Sequence, residues 1–312
     1  MSNLLTSSST YRANGKLLLT GEYLILHGAK AIALPIKLGQ QLTVQDRLNS
    51  EDIIWQAFYE GKVWFSCELN PNDFSAIKTS HTEKAATLSK IFRTIKTLNP
   101  IFHPKAGTKI ETSLEANPEW GFGSSSTLIS LLSQWAGVDP FILNELVFQG
   151  SGFDIACANA DGPILYVRNK PAQPIVLNYP FSEQLFLVYS GKKKKTSSEV
   201  STFLKEKKVS DRLIQEVSAL SDEFAGCLDQ NNFNKLIRQH EEIVGRLIGQ
   251  IPVKEQLFND FDGAIKSLGA WSGDFYLISS ALPFSGVKKY FDNRGLTTIF
   301  RWNELILKRE NQ

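Results

Sequence analysis

The chain has few of the residues that build disulfide frameworks or metal centres. Its 312 residues include three cysteines, Cys67, Cys157 and Cys227, an odd and scattered set that argues against paired disulfides and against a zinc site. The four histidines show no spacing typical of metal ligands. No apolar run approaches the roughly 18 residues of a membrane helix, and the N-terminus lacks a basic segment followed by an apolar core. We therefore expect a cytoplasmic protein with no membrane partner.

Charge of one sign is also scarce. The formal net charge is +2, whereas proteins that bind nucleic acids usually carry a concentrated basic surface, so we expect no nucleic-acid partner. A hydrophobic content of 42% and a mean hydropathy of −0.16 are typical of a globular protein. A chain of 312 residues is long for one hydrophobic core, and two domains are the expected organisation.

The segment from Pro118 to Ser126, with the sequence PEWGFGSSS, joins a strand pattern to a helix pattern. It lacks the spacing of a Walker A loop. Gly121 and Gly123 allow the backbone to approach a ligand, and the N–H groups at the start of the following helix favour negative charge. The adjacent serine hydroxyl groups add donors, or neutral oxygen ligands for Mg²⁺. The segment therefore indicates a phosphate-binding loop, although glycine and serine also occur in ordinary turns.

A second segment, Gly150-Ser151-Gly152-Phe153-Asp154, follows a short predicted helix that opens at Asp139-Pro140. Two glycines around a serine predict a tight turn that holds the Asp154 carboxylate at a fixed place. Two interpretations of Asp154 stay open at this point. It is either a general base or orienter for a hydroxyl group, or the N-cap of the next helix.

A third segment near the N-terminus contains Gly15-Lys16 and Gly21-Glu22-Tyr23. Short apolar runs bounded by glycine predict strands over 16–26 and 31–46 with a tight turn. Lys16 is either a cation for phosphate oxygens or a solvated lysine at the end of a strand.

Together, these three segments resemble the motifs of the GHMP kinases, which phosphorylate small molecules with ATP and magnesium. Pro118 to Ser126 is similar to the phosphate loop of the family, with Phe122 in place of a common leucine. The Gly-Glu-Tyr sequence at 21–23 and the Gly-Ser-Gly sequence at 150–152 are closer to the phosphomevalonate kinases of this family. The resemblance spans the chain.

The resemblance implies a role for each matched residue. Asp154 would take or orient the proton of the substrate hydroxyl group, and Lys16 would assist it electrostatically. Ser125 would hold Mg²⁺, and Glu145 would be a second metal ligand, although a surface glutamate on a helix is the favoured interpretation of Glu145. The implied ATP-binding residues are Pro118, Gly121, Gly123, Ser124, Ser125 and Ser126. The implied substrate-binding residues are Glu22, His27, Ser151, Gly152, Lys192, Lys195, Ser197, Gly269 and Ala270.

One motif of the family is altered in this chain. GHMP kinases usually carry a Gly-Ala-Gly-Gly-Gly loop near the C-terminus, and the best match here is the segment from Lys266 to Asp274, with Trp271 and Ser272 at glycine positions. A tryptophan would strain or obstruct a backbone that requires glycine. The alteration leaves open a relative that binds nucleotide but has little turnover.

Consecutive lysines from Lys192 to Lys195 follow a predicted strand. Adjacent like charges repel one another, so such a run is usually a solvated loop. The position of this run is similar to that of the substrate loop in mevalonate and phosphomevalonate kinases. The resemblance therefore implies that these lysines contact an anionic substrate.

The order of elements predicts an α+β fold of two domains, at 1–172 and 173–312, separated in the polar, proline-containing segment 169–174. The pattern includes a hairpin over 53–68, a helix that begins near Ser80 with a Ser80–Glu83 capping box, and helices over about 210–228 and 232–248. His240, on the apolar stripe of the last helix, is interpreted as a satisfied, half-buried histidine rather than a catalytic one. The resemblance implies a two-domain GHMP kinase fold, with a ribosomal-protein-like, ATP-binding N-terminal domain and a ferredoxin-like, substrate-binding C-terminal domain.

The resemblance implies an ATP- and Mg²⁺-dependent kinase of the mevalonate (isoprenoid) pathway that acts on phosphomevalonate. Mevalonate is the alternative acceptor. A catalytically weak nucleotide-binding relative and an ATP-dependent decarboxylase of the same superfamily also stay open. We expect a small anionic substrate and a monomer or homodimer.

Overall fold

The computed structural model describes residues 8–46, 50–192, 209–269 and 273–309. Its two compact units are interleaved along the chain. Unit 1 comprises Met1–Gly15, Leu38–Pro118 and Phe122–Asn159, and unit 2 comprises Lys16–Lys37, Glu119–Gly121 and Ala160–Gln312. The first two strands, β1 (Ser8–Leu18) and β2 (Ala31–Asp46), contribute to both units. The domain boundary that the sequence suggests after residue 172 stays a prediction.

The sheet of unit 1 contains four further strands: β3 (Ile53–Tyr59), β4 (Lys62–Leu69), β5 (Ala76–Thr79) and β6 (Thr108–Leu114). Its order is β5-β4-β3-β6-β2, and only the β3–β6 pair among these neighbours is parallel. The hairpin predicted over 53–68 is confirmed. Its turn lies at Glu60 and Gly61, whose φ values of 50° and 71° are left-handed.

The helices of unit 1 are α1 (Thr82–Leu98), α2 (Ser124–Ala136), α3 (Pro140–Val147) and α4 (Phe153–Ala158). Asp139 caps α3 as predicted, because its carboxylate accepts from Phe141 N and Ile142 N at 2.7 and 3.0 Å. The capping box predicted for α1 is wrong. The N-cap is His81, and the Ser80 hydroxyl oxygen instead accepts from Ser66 N on the neighbouring strand.

A second sheet, in unit 2, consists of β9 (Leu185–Tyr189), β10 (Ala264–Leu268), β11 (Phe275–Ser279) and β12 (Ile299–Arg301). Its antiparallel order is β10-β11-β9-β12, with helical segments between β9 and β10 and between β11 and β12. This is the order of a ferredoxin-like sheet, so the predicted C-terminal architecture is confirmed. Two short strands, β7 (Ile164–Tyr166) and β8 (Gln173–Pro174), lie beside the first residues of β2. Strand β7 pairs antiparallel with β2, and β8 pairs antiparallel with β7.

The helices of unit 2 are α5 (Asp211–Ala225), α6 (Gln230–Ile248), α7 (Val253–Leu257), α8 (Phe284–Asp292) and α9 (Trp302–Leu305). The two long helices match the predicted ones, and each begins at a capping side chain. The Ser210 hydroxyl oxygen accepts from Leu213 N, and the Asp229 carboxylate accepts from Asn232 N. Gly249, with a φ of 70°, ends α6.

The strand predicted over 16–26 is confirmed only at 16–18 and is wrong over 19–26. Strand β1 ends at Leu18, and a 3-10 helix occupies Leu24–His27. Between them, the Thr20 hydroxyl oxygen accepts from Ile32 N at 2.9 Å, and Ile25 N donates to Gly21 O at 2.9 Å. These bonds replace strand pairing by a compact turn.

Candidate functional site

The start of α2 offers a site for an anion in unit 1. The helix follows Gly123, whose φ of 86° is in the left-handed region, and it is 13 residues long. The Gly123 carbonyl oxygen accepts from Thr127 N at 3.0 Å and from Ser126 Oγ at 2.7 Å. N–H groups of a first helical turn have no intrahelical acceptor, and the helix dipole adds partial positive charge there. A phosphate group is the ligand that this arrangement favours.

The serines at this helix start differ in exposure. Ser125 is exposed, Ser124 is half-buried and Ser126 is buried. Because the Ser126 hydroxyl donates to Gly123 O, it braces the loop. Ser125 presents its hydroxyl oxygen at the surface, where it can reach a ligand. Its predicted role as a ligand of Mg²⁺ stays a prediction.

Gly121, in unit 2, lies against a carboxylate to which the sequence analysis assigned no role. Its φ is 70°, and a Cβ atom built on it would overlap the carboxylate of Asp274. The same segment is fixed within unit 2, since Tyr189 OH donates to Glu119 O and Trp120 packs edge-on against Phe300. A side chain at position 121 would therefore displace Asp274. Carboxylate oxygen is a ligand that Mg²⁺ accepts, whereas an uncompensated carboxylate would repel phosphate.

Asp154 lies in the first turn of α4, directly after the tight turn that the sequence predicts. Gln149, Gly150 and Gly152 have φ values of 63°, 122° and 85°. Gly152 is the N-cap, so the interpretation of Asp154 as the cap is wrong. Helix α4 packs against α2, and Ser130 Oγ donates to Asn159 Oδ1 at 2.9 Å. Unit 1 thus contains both the helix start and the half-buried Asp154, whose catalytic role stays a prediction.

The positions of the other predicted residues of unit 1 do not by themselves indicate a ligand. Ser151 is buried beside Gly152, and Pro118 begins the 3-10 helix Pro118–Trp120. Glu145 is exposed on α3, the position expected of a surface glutamate. A role for Glu145 as a metal ligand stays a prediction.

The turn Gly21–Tyr23 in unit 2 is held by two helices. Thr20 Oγ1 lies 2.8 Å from Ser221 Oγ of α5, and Gly21 N donates to His240 Nε2 of α6 at 3.1 Å. Tyr23 has a φ of 65°, which is uncommon for a residue other than glycine. Such a backbone persists only where surrounding contacts hold it, and these bonds supply them.

Glu22, in the same turn, belongs to a buried ionic cluster. Lys266 Nζ of β10 donates to Glu22 Oε1 at 2.5 Å and lies 3.8 Å from Glu241 Oε1 of α6. Glu241 Oε1 also accepts from Ser267 N at 3.2 Å. Glu22, Glu241 and Lys266 are 3%, 2% and 1% exposed, so two buried carboxylates share one buried cation. The role of Glu22 in substrate binding stays a prediction.

His240 is fully buried, so the expectation of a half-buried side chain is wrong. Burial, and secondly the charge of Lys266, lowers the pKa of His240 well below its usual value. Its Nε2 accepts from Gly21 N, and the imidazole is therefore neutral. The 3.2 Å separation between His240 Nε2 and Glu22 Oε2 would be an ion pair only with a protonated imidazole, so it is not one.

Burial also raises the pKa of both carboxyl groups of the cluster. It raises the pKa of Glu22 against the opposing effect of Lys266. It raises the pKa of Glu241 to about 7, again against the effect of Lys266. Since Lys266 contacts Glu22 more closely, Glu22 is the ionised carboxylate, and Glu241 carries the proton below a pH of about 7.

The remaining predicted residues lie in unit 2. Lys16 is half-buried in β1, His27 ends a 3-10 helix, and Lys192 is exposed after β9. Gly269 follows β10 with a φ of 83°. Lys195, Ser197 and Ala270, like Trp271 and Ser272, lie outside the described residues. Among those described, no group of three or more His, Cys, Asp or Glu side chains could hold a metal ion. The same residues contain no helix that is both long and apolar enough to span a bilayer.

Proteins similar to this chain include several kinases. The mevalonate kinase of Methanocaldococcus jannaschii is 24% identical over 289 residues, covering 84% of this chain and 89% of that protein. The crystal structure of the Methanococcus jannaschii mevalonate kinase matches with a TM-score of 0.72 and 20% identity, covering 98% of this chain and 99% of that chain. The chain has the GHMP kinase fold. No protein-family model matches it.

Two further solved structures share the GHMP kinase fold of this chain. The Streptococcus pneumoniae phosphomevalonate kinase in complex with phosphomevalonate and AMPPNP has a TM-score of 0.68 and 17% identity, covering 94% and 99% of the two chains. The Lactococcus lactis galactokinase complexed with galactose has a TM-score of 0.68 and 12% identity, covering 98% and 94%. The α+β fold and the resemblance to the GHMP kinases are confirmed.

Proposed function

We propose that this GHMP-fold protein is an ATP-dependent kinase that transfers the γ-phosphoryl group of ATP to phosphomevalonate. The observation that carries the proposal is the start of α2, where a left-handed glycine and an exposed Ser125 open a helix of 13 residues. This arrangement suits phosphate, and it lies in the segment that resembles the phosphate loop of the family. A solved kinase with this fold contains phosphomevalonate and AMPPNP, which supports the same pair of ligands here.

The proposed reaction requires positioning and charge neutralisation more than covalent help from the protein. We assign Asp154 to orient the attacking oxygen and to accept its proton where it carries one. Lys16 supplies positive charge, and Gly123 to Ser126 bind ATP phosphates through their backbone. These roles rest on the resemblance of the motifs.

The oxygen atoms of the described residues suit a magnesium ion. Ser125 offers an exposed hydroxyl oxygen in unit 1. Mg²⁺ prefers such oxygen ligands and usually keeps several waters, so few protein ligands are needed. When bound, the ion would neutralise charge on the phosphate groups.

Mevalonate is the second candidate acceptor, because the sequence relative from Methanocaldococcus jannaschii is a mevalonate kinase. The acceptors differ in charge, since phosphomevalonate carries a phosphate in addition to the carboxylate. Steady-state assays with ATP and Mg²⁺ on phosphomevalonate, mevalonate and diphosphomevalonate separate these possibilities. We expect kcat/KM for phosphomevalonate to exceed that for mevalonate at least about tenfold, as a site built for a polar group rejects an analogue that lacks it. The reverse order would select mevalonate, and turnover of diphosphomevalonate would indicate a decarboxylase.

Replacing Gly123 with valine should abolish ATP binding. The φ of 86° is unfavourable for a β-branched residue, and the new side chain would lie where phosphate must approach the backbone. Isothermal titration calorimetry with ATP and Mg²⁺, on protein shown to be folded by circular dichroism, measures the effect. ATP binding at the wild-type affinity would show that the loop is an ordinary turn and not a phosphate-binding loop.

Gly137→Val provides a matched control at the other end of the same helix. Gly137 also has a left-handed φ, of 64°, and a Cβ built there meets no atom within 4 Å. The control therefore has a similar backbone strain without the blocked approach to phosphate. We expect it to bind ATP like the wild type.

Replacing Lys192 to Lys195 together with glutamine should raise KM for phosphomevalonate about tenfold or more, since a hydrogen bond to a charged group contributes roughly 1.5–3 kcal/mol. Lys192 is exposed directly after β9, and the other three lysines lie outside the described residues. The KM for ATP should change less. A double replacement of Lys288 and Lys289 on α8 is the control for loss of surface charge. An unchanged KM for phosphomevalonate would show that these lysines do not contact the substrate and would favour the interpretation as a solvated loop.

A further inference from the structure

The buried cluster of Glu22, Glu241 and Lys266 contains more acidic groups than basic ones. Its single cation lies 2.5 Å from Glu22 Oε1 and 3.8 Å from Glu241 Oε1, and His240 beside them is neutral. An uncompensated charge in a protein interior is strongly unfavourable. The two carboxyl groups therefore cannot both be ionised without competing for Lys266.

In the described part of the chain, the other cations near Glu241 form no ion pair with it. On its own helix α6, the nearby titratable side chains are Arg238, His240 and Glu242. From α7 come Lys254 and Glu255, from β10 comes Lys266, and from the turn comes Glu22. Lys254 Nζ donates to Phe261 O at 2.8 Å, and within the described part of the chain only Lys266 forms an ion pair with Glu241.

A cavity of about 210 Å³ lies beside Glu241. It is lined by residues of α6, α7 and β10, among them Glu241, Arg238 and Ile265. The Glu241 Oε2 atom is buried and has no hydrogen-bond partner among the described residues, whereas its Oε1 atom is engaged by Ser267 N. A water molecule occupies about 30 Å³ in the liquid, so a cavity of this volume has room for solvent. Glu241 can therefore exchange its proton without unfolding of the cluster.

We propose that Glu241 is a proton-dependent positioning residue: on losing its proton it draws Lys266 away from Glu22 and loosens the turn Gly21–Tyr23. The turn depends on this pair because Glu22 is its central residue, and its neighbour Gly21 is bound to His240, which precedes Glu241 on α6. Lys266, His240 and Glu241 thus converge on the turn from β10 and α6. In its effect on catalysis, the inference rests on the proposed function.

The direction of the pH effect follows from the protonation states. Burial raises the pKa of Glu241 to about 7, so the carboxyl group is neutral below that pH and leaves Lys266 to Glu22. Above it, the carboxylate is ionised and competes for Lys266. The turn should therefore be held firmly at pH 6 and less firmly at pH 8.5.

Hydrogen–deuterium exchange measured by mass spectrometry tests this directly on the full chain. After correction for the intrinsic pH dependence of exchange, peptides that cover 19–27 should exchange about tenfold faster at pH 8.5 than at pH 6, since one pKa unit of coupling is a tenfold change in an equilibrium. In Glu241→Gln, whose neutral side chain mimics the protonated acid, the protection should be the same at both pH values. Glu242→Gln, at the next position of α6, should behave like the wild type.

Equal protection at both pH values in the wild type would overturn the proposal, even if the variant failed to fold. Retention of the pH effect in Glu241→Gln would overturn it as well. In the kinetic arm, the ratio of acceptor KM values between Glu241→Gln and wild type should fall as pH rises from 6 to 8.5. A protein that turned over no acceptor but kept the exchange pattern would refute the proposed function and leave this inference supported.

Discussion

Replacing Asp154 with asparagine should lower kcat about 10²-fold or more for an acceptor that must lose a proton, while the affinity for ATP stays within a few-fold of wild type, since general acid–base catalysis typically contributes ~10²–10⁴. Asp154 is half-buried in the first turn of α4, and Gly152 already caps this helix. The loss should therefore reflect chemistry and not a missing cap. Steady-state kinetics together with calorimetric titration of ATP separate the two parameters.

Asp139→Asn is the matched control, because Asp139 caps α3 in the same unit and asparagine is an equally good cap. It should leave kcat unchanged. An alcohol acceptor must lose a proton and should show the larger loss in Asp154→Asn, whereas a phosphate oxygen is largely deprotonated above its second pKa of about 6. A wild-type kcat in Asp154→Asn would show that Asp154 has no catalytic role.

Replacing Lys266 with methionine should strongly destabilise unit 2. It removes the one cation from two buried carboxylates, and breaking a buried pair in this way typically costs about 3–5 kcal/mol. We expect the melting temperature to fall on the order of 10 °C. Adding Glu22→Gln to Lys266→Met should restore part of this loss, because it removes one of the uncompensated charges.

Lys30→Met serves as the control for Lys266→Met. Lys30 Nζ lies 2.6 Å from Asp222 Oδ2, but both side chains are partly exposed. Such surface pairs contribute about 0–1 kcal/mol, so the melting temperature of this variant should change little. Equal melting temperatures for Lys266→Met and wild type would show that the cluster does not stabilise unit 2.

Local sequence patterns predicted the parts of the fold that local interactions determine. The hairpin at Glu60-Gly61 requires left-handed backbone, and glycine marks it in the sequence. The long helices α5 and α6 have apolar residues at helical spacing and capping side chains at their starts. The turn before Asp154 and the loop before α2 were visible for the same reason, because glycine, serine and acidic residues occur there in a fixed order.

Those local patterns did not predict contacts between segments that are distant in the sequence. Lys266 and Glu22 are 244 positions apart, and Lys266 lies in an apolar run that resembles any buried strand. The only signal was the presence of a charged residue within that run. Asp274 was placed in an altered glycine motif, so its contact with Gly121 could be seen only in the structure. The strand predicted over 16–26 was placed too late in the chain, since β1 covers Ser8–Leu18 and the bond between Thr20 and Ile32 that follows it depends on tertiary packing.

The proposed transfer of the γ-phosphoryl group from ATP to phosphomevalonate can be observed directly. The most direct measurement follows a mixture of the wild-type protein, ATP, Mg²⁺ and phosphomevalonate by ³¹P NMR. We expect the γ-phosphate resonance of ATP to decrease while a diphosphate ester and ADP appear in equal amounts, and we expect Gly123→Val to produce neither. Release of inorganic phosphate without a new ester, or no consumption of ATP by folded protein, would contradict it.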